Sequence, residues 1–268
     1  MTKYYPGDYY SYTAENSVKR SGLFQRLQCQ STIRGNKSLA GKIITYKYKT
    51  PEYYQTLKNL KLLRLSSPVL DVGSGSGELL KNFYKAGYND LTGIDPYIKK
   101  DIIYKEKFRI EKKELFDVNR VFDAIMLNHS LEHMDHQLGV LKKLYSILSG
   151  DGRLLIRIPI VSKPLVEEYG PNVVSLDAPR HFYIHSFKSI SLLLEKGGFV
   201  TEKVIYDAHE FSFWGSEQYK KNISLHNDPE SYLVKKTFPD VQMAEWRNRI
   251  EELNKRNESD NLAIYLKK

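Results

Sequence analysis

The sequence predicts an α/β fold built on a mostly parallel sheet of seven strands joined by helical crossovers. Three observations predict it. Short apolar runs alternate with helical patterns through the middle of the chain. The run Val69-Leu-Asp-Val passes directly into glycines and then into a helical pattern. A second apolar run ends on an acid, Asp95, twenty-two positions after Gly73.

The elements follow in order. Residues 1–65 are rich in Tyr and Lys, with helical patches around 18–30 and 51–65. VLDVG (69–73) is a short buried strand, and GELLKNFYKA (77–86) carries helical spacing and stops at Gly87, a normal C-terminal glycine. LTGID (91–95), FRIEK (108–112) and VFDAIMLN (121–128) are the second to fourth strands. Leu138, Leu141, Tyr145 and Leu148 form a helical stripe ending before Gly150-Asp151-Gly152, and RLLIRIP (153–159) is the fifth strand. Ser186 N-caps a helix through Leu194 that ends at Gly197-Gly198. TEKVIYD (201–207) and LAIYLKK (262–268) are the sixth and seventh strands. With six parallel strands, five helical crossovers are expected. Residues 208–261 are too long for a turn between the last two strands and form an insertion. The chain thus divides into an N-terminal helical cap (1–65), a ligand-binding core (66–207), an insertion covering the site (208–261) and the final core strand (262–268).

Bulk properties bound the function. With 268 residues and 41% hydrophobic content, the chain buries one good-sized core. The start carries no apolar run after its lysine, and LLIRIPIV is short and interrupted by Arg157. Neither a signal peptide nor a membrane span is expected, and a cytoplasmic location is. A single cysteine, Cys29, fits a reducing compartment. The net charge of +9 would suit nucleic acid, but the charges are intermixed, as in KKDIIYKEKFRIEKKE (99–114), and no Arg-rich tract or base-stacking pattern accompanies them. A generic basic surface is the better reading, and nucleic acid is disfavoured as a partner.

The most informative stretch is Val69-Leu-Asp-Val-Gly-Ser-Gly-Ser-Gly-Glu78. Its glycines, Gly73, Gly75 and Gly77, let backbone approach a ligand closely at the carboxyl edge of a sheet. The G-x-G-x-G spacing departs from the G-x-G-x-x-G of dinucleotide sites, and no phosphate-binding lysine follows. Asp71 would repel phosphate but suits a ligand with an ammonium group. Asp95 can accept both hydroxyls of a ribose. Together they specify an adenosyl group with a cationic tail.

At these residues the sequence resembles the class I S-adenosylmethionine-dependent methyltransferases. LDVGSGSG looks like their first motif, GIDP (93–96) their ribose-binding motif and FDAIMLNHSLEH (122–133) their fourth-strand motif, over about residues 68–207. The resemblance implies a Rossmann-like sheet whose last strand, LAIYLKK, is antiparallel. It implies S-adenosylmethionine as cofactor and S-adenosylhomocysteine as product. Gly73, Ser74, Gly75 and Gly77 would cradle the cofactor, with Asp71 near its amino group, Asp95 on the ribose and Pro96 along the adenine edge. Glu114 and Leu115 would contact adenine, and Asn128 and His129 would face the methionine side. The early YYSY (9–12), the HSLEH element (129–133), IRIPIV (156–161), LDAPRHFYIHS (176–186), GSEQY (215–219) and the stretch 260–265 are similar to methyltransferases of bacterial surface-polysaccharide and glycan biosynthesis. That implies O-methylation of a sugar or a glycan-linked intermediate. The rivals are a lipid, quinone or RNA acceptor, or a cofactor-binding scaffold without turnover.

HSLEHMDH (129–136) would then lie at the rim of the site. His129 to His133 match the H-x-x-E-H pattern of one class of zinc protease, which needs a long helix; here a buried strand precedes directly and a new helix follows. A sugar hydroxyl benefits from a general base, and histidine suits neutral pH. His129, His133 and His181 are the candidates, with Asp135 orienting; His136 reads as solvated and His185 as packing near a helix start. Arg180 would bind an anionic group of the acceptor, and Tyr183, Trp214 and Tyr219 are candidates to stack on a sugar, with core packing as the default for each. No metal site is assigned, though Glu132, His133 and His181 leave a divalent ion open.

Overall fold

A computed structural model describes residues 22–33, 51–223, 225 and 238–268. The early YYSY (9–12) and residues 224 and 226–237 of the expected insertion lie outside the described residues.

Before the sheet come helices α1 (Leu23–Ile33) and α2 (Glu52–Asn59). The core then runs β1 (Val69–Val72), α3 (Glu78–Ala86), β2 (Leu91–Ile94), β3 (Ile102–Lys105), β4 (Phe108–Glu111), β5 (Phe122–Asn128), α4 (Gln137–Ile147) and β6 (Leu148–Pro159). It continues through α5 (Lys163–Tyr169), α6 (Phe187–Lys196), β7 (Val200–Tyr206), α7 (Phe211–Lys220), α8 (Asp240–Arg256) and β8 (Asn261–Lys267). Among the described residues the sheet has eight strands in the order β3-β4-β2-β1-β5-β6-β8-β7, with β8 antiparallel to both β6 and β7.

The expected count of seven strands is corrected by β3, which pairs antiparallel with β4 at the sheet edge. Its four residues, Ile102-Ile-Tyr-Lys105, sit inside a charged run, and Ile103 is 76% exposed although apolar, so the hydropathy does not follow the alternation that buries Tyr104. Two of the five expected helical crossovers are also corrected. The β2-to-β4 connection spends its residues on the β3 hairpin, and β4 to β5 passes only a single 3-10 turn, Leu115–Asp117. Neither Lys- and Glu-rich segment offers an apolar helical face. The buried face of α4 is Val140, Leu141, Leu144 and Ile147, while Leu148 already belongs to β6 and Tyr145 packs edge-on against Phe199 at the rim.

Strand alternation feeds two cores. Leu70, Ile125 and Ile156 face α4 and α6, meeting Leu141, Leu144, Ile190 and Leu194. Val69, Leu91 and Met126 face the other side, against Leu80 and Phe83 of α3, Leu57 of α2 and Cys29 of α1. A third apolar cluster joins Leu165 and Tyr169 of α5 to Phe213 of α7 and Met243, Trp246 and Ile250 of α8. The parallel register sets Val72 opposite Ile94 on one side and Leu127 on the other. Gly73, Asp95 and Asn128 therefore emerge together at the carboxyl edge of three adjacent strands.

Candidate active site

A cavity of about 1110 Å³ opens at that edge, at or above the upper end of small-molecule sites, roughly 300–1,000 Å³. One wall comes from the β1 loop and the end of β2. Gly73 turns at φ +75°, and a Cβ there would stand 2.7 Å from the Cβ of Ser130. Ser130 is buried and donates its hydroxyl to the Val72 carbonyl at 2.8 Å, which clamps the β5 exit against the glycine loop. Gly77 caps α3 at φ +79°, where a Cβ would lie 2.4 Å from Ile110 Cδ1. It packs the loop against β4 and, unlike Gly73, Ser74 and Gly75, does not line the cavity.

Asp95 is oriented from two sides. Its Oδ2 accepts from the Gly75 amide at 3.0 Å and its Oδ1 from the Tyr97 amide at 2.8 Å. Burial still raises its pKa, against these bonds. Asp71 is 3% exposed, and burial, then the nearby charge of Asp95, pushes its pKa up to about 7. Two carboxyls in one wall leave a strong local preference for a cation. Pro96, Glu114, Leu115, Asn128 and His129 also line the cavity. The expected cofactor residues, apart from Gly77, thus all line the cavity.

The other wall holds the histidines. The octet 129–136 is not one helix: His129 has φ +53°, Leu131–His133 is a single 3-10 turn, and His136 at φ +44° precedes α4. The helical H-x-x-E-H geometry of a zinc protease is not formed. The turn brings His133 to His181, ring centroids 4.7 Å apart. His133 Nδ1 lies 3.0 Å from the Arg180 carbonyl oxygen and His181 Nδ1 lies 2.8 Å from that of Ser175. A carbonyl only accepts, so each Nδ1 carries a proton, and in a neutral ring Nε2 is then the acceptor. Burial lowers the His181 pKa, with His133 adding to the effect while Glu132, Asp177 and the Ser175 carbonyl oppose it. Beneath the pair, Glu132 is 1% exposed. Neither of its carboxylate oxygens has a hydrogen-bond donor, and the His129 Nδ1 stands 3.5 Å from Oε1.

Arg180 is committed to Asp177, Nη2 to Oδ1 at 2.6 Å, within the cavity wall. Trp214 and Tyr219, both on α7, line the cavity; Tyr183 does not, because its ring stacks on His185 at 6.0 Å. His185 bonds Gln137 and Ser189 beside the start of α6. The His136 side chain is 88% exposed. Sequence reasoning missed three groups. Asp260 is buried with Oδ1 2.6 Å from the Ser212 hydroxyl; Arg157 pairs with Asp207 at 3.0 Å; and Ser130 acts as the clamp. A cationic residue inside an apolar strand was the signal available for Arg157; Asp260 and Ser212 are 48 positions apart and carried none.

A methyltransferase-domain family model matches residues 46–204, more than half of the chain. Among solved structures, the chain is similar to an S-adenosylmethionine-dependent methyltransferase of Mesorhizobium loti (14% identity, 81% of this chain and 97% of that one, TM-score 0.51). It is also similar to a cyclopropane synthase of Mycobacterium tuberculosis (13% identity, 92% and 99%, TM-score 0.52). A third is the geranyl diphosphate C-methyltransferase of Streptomyces coelicolor, in complex with Mg2+, geranyl diphosphate and S-adenosyl-L-homocysteine (11% identity, 96% and 91%, TM-score 0.52). At these identities the likeness is one of fold. No curated protein matches the chain. Among the described residues, no helix is long and apolar enough to cross a membrane.

Proposed function

The chain belongs to the class I S-adenosylmethionine-dependent methyltransferases, and on that premise we propose that its acceptor is a hydroxyl of a sugar or glycan-linked intermediate. The cofactor supplies a methyl carbon on a sulfonium, open to in-line displacement by a nucleophile. Residues of this chain do the rest. Gly73, Ser74, Gly75 and Asp71 hold the methionine end, and Asp95 takes the ribose. Pro96, Glu114 and Leu115 border the adenine, and Asn128 and His129 face the methionine.

The single observation that carries the acceptor reading is the His133–His181 pair. Both rings line the cavity with Nδ1 fixed on a carbonyl, so Nε2 is the nitrogen that can take a proton. With its pKa lowered by burial, His181 is neutral near pH 7 and is the better base; His133 steadies it or exchanges the role. The pair removes the hydroxyl proton as the oxygen takes the methyl. The same side carries paired charges, Arg157 with Asp207 and Asp177 with Arg180, together with Asp260, set among apolar residues such as Val174, Phe182 and Phe211, with Trp214 and Tyr219 as stacking surfaces. The paired charges can bond the hydroxyls of a sugar and the aromatics can stack on its ring, and α7 brings these aromatics from the insertion, which we assign as cover.

Single-turnover methyl transfer by His133→Ala and His181→Ala tests the base. A loss of about a hundredfold or more is expected for at least one, and a change below about tenfold in both would overturn it. Mass spectrometry of surface glycans from cells with and without the protein tests the acceptor: a shift of one methyl group is expected, and its absence, with a methylated lipid or RNA instead, would reassign it.

A further inference from the structure

We propose that Glu132, His133 and His181 form a binding site for one divalent transition-metal cation. One potential ligand atom from each of the three lies within 4.8 Å of the others. Each ring has the second-sphere arrangement of a metal-binding imidazole: Nδ1 donates to a backbone carbonyl, Arg180 for one and Ser175 for the other, which leaves Nε2 as the ligand atom of the neutral ring.

The second observation is Glu132 itself. It is 1% exposed, lines the cavity, and neither oxygen receives a hydrogen bond. A carboxylate taken out of water without donors is costly, and a cation at its open face removes that cost. The surroundings point the same way. Asp177 Oδ2 lies 3.6 Å from His181 Nε2, an arrangement that repels a bare lone pair and suits a cation between or beside them. A bound ion would sit about 2.1 Å from each ligand and draw the three atoms inward from their present spacing.

Two imidazoles and one carboxylate select among ions. Nitrogen donors favour Zn2+ or Fe2+ over Mg2+ and Ca2+, which prefer all-oxygen shells. Three protein ligands leave positions open toward the cavity, where an acceptor oxygen has access. An ion there lowers the pKa of an oxygen that coordinates it, with the proton lost to solvent, so the activating group would be the cation in place of a free histidine. Ion binding stands independently of the acceptor assignment; this last consequence rests on it.

The test uses the full chain, stripped with chelator and titrated with Co2+, read by visible d–d absorption and by metal content after gel filtration. One Co2+ per chain is expected, displaced by Zn2+ and retained against equimolar Mg2+. Glu132→Gln and His181→Asn should each weaken it by at least about tenfold. Calorimetry with S-adenosylmethionine confirms that each variant is folded, and His133→Asn, at a part-buried ring, replaces either one that is not. Failure of the wild-type chain to retain Co2+, undiminished binding in the variants, or displacement by equimolar Mg2+ would overturn the assignment. The two readings fail separately: chelator-resistant methyl transfer that still depends on His181 leaves the histidine base standing and removes the ion, whereas tight Co2+ binding without any methylated hydroxyl does the reverse.

Discussion

Replacing Asp71 by Asn should stabilise the cofactor-free protein at alkaline pH while weakening cofactor binding. Burial, reinforced by Asp95, holds the Asp71 pKa at about 7, against an ordinary value of 3.8. A raised pKa means that the folded state keeps a proton which the unfolded state has already released. The stability contributed is therefore whole below about pH 4, declines as pH rises, and is gone above about pH 7. Each tenfold gain in proton affinity is worth about 1.4 kcal/mol, so the ionised carboxylate costs the folded state about 4 kcal/mol at pH 8. Asn has nearly the same shape and cannot ionise. At pH 8 the variant should unfold about 10 °C above wild type, at roughly 2–4 °C per kcal/mol for a chain of this size, and the gap should close toward pH 4. Thermal unfolding of both ligand-free proteins by circular dichroism, in steps from about pH 4.5 to 8.5, measures the difference and cancels the other titrating groups. A cationic ligand inverts the effect, since it takes the ionised form as its counter-charge. Wild-type affinity for S-adenosylmethionine should rise with pH up to about 7, with proton release below it, and Asp71→Asn should lose about tenfold or more at pH 8. A pH-independent gap in unfolding temperature, or a variant that binds the cofactor as well as wild type, would refute the reasoning.

Asp95→Ala removes the acceptor of the Gly75 and Tyr97 amides together with the proposed ribose contact, so calorimetry should show cofactor affinity falling by at least about two orders of magnitude, and unchanged affinity would sink the assignment. Trp246→Ala empties the centre of the third apolar cluster, where the ring stacks with Phe213 at 6.4 Å and meets Phe238 at 5.0 Å. A loss of about 3–5 kcal/mol is expected. Because that cluster lies apart from the two cores lining the sheet, hydrogen exchange should report the loss in α7 and α8 first, with cofactor binding kept.

How much was legible depended on how far apart in sequence the cooperating residues lie. The strand, glycine loop and helix at 69–86 are contiguous, and strand periodicity together with left-handed glycines encodes them locally. Asp95 needed only the end of one more apolar run. The seven strands first expected are all present, whereas β3 was missed because it is four residues long within a charged run and carries Ile103 on its exposed side. The tyrosine at 183 illustrates the opposite limit: its position in the acceptor loop was readable, but stacking on His185 turns it from the cavity.

From the sequence alone came the α/β class, the cofactor and the wall that would bind it, because backbone conformation and burial pattern are short-range properties. Only the tertiary structure decided that His133 and His181 meet, that the His133 Nδ1 is fixed by the Arg180 carbonyl from a distant loop, and that Glu132 is buried beneath them without a hydrogen-bond donor. It also decided that Ser212 and Asp260 bond across 48 residues. Those contacts depend on how a loop after β6 and an inserted helix pack over a sheet edge. The packing is set by apolar contacts elsewhere, such as Leu165, Phe213 and Trp246 in the third cluster, and no local pattern around the histidines encodes it.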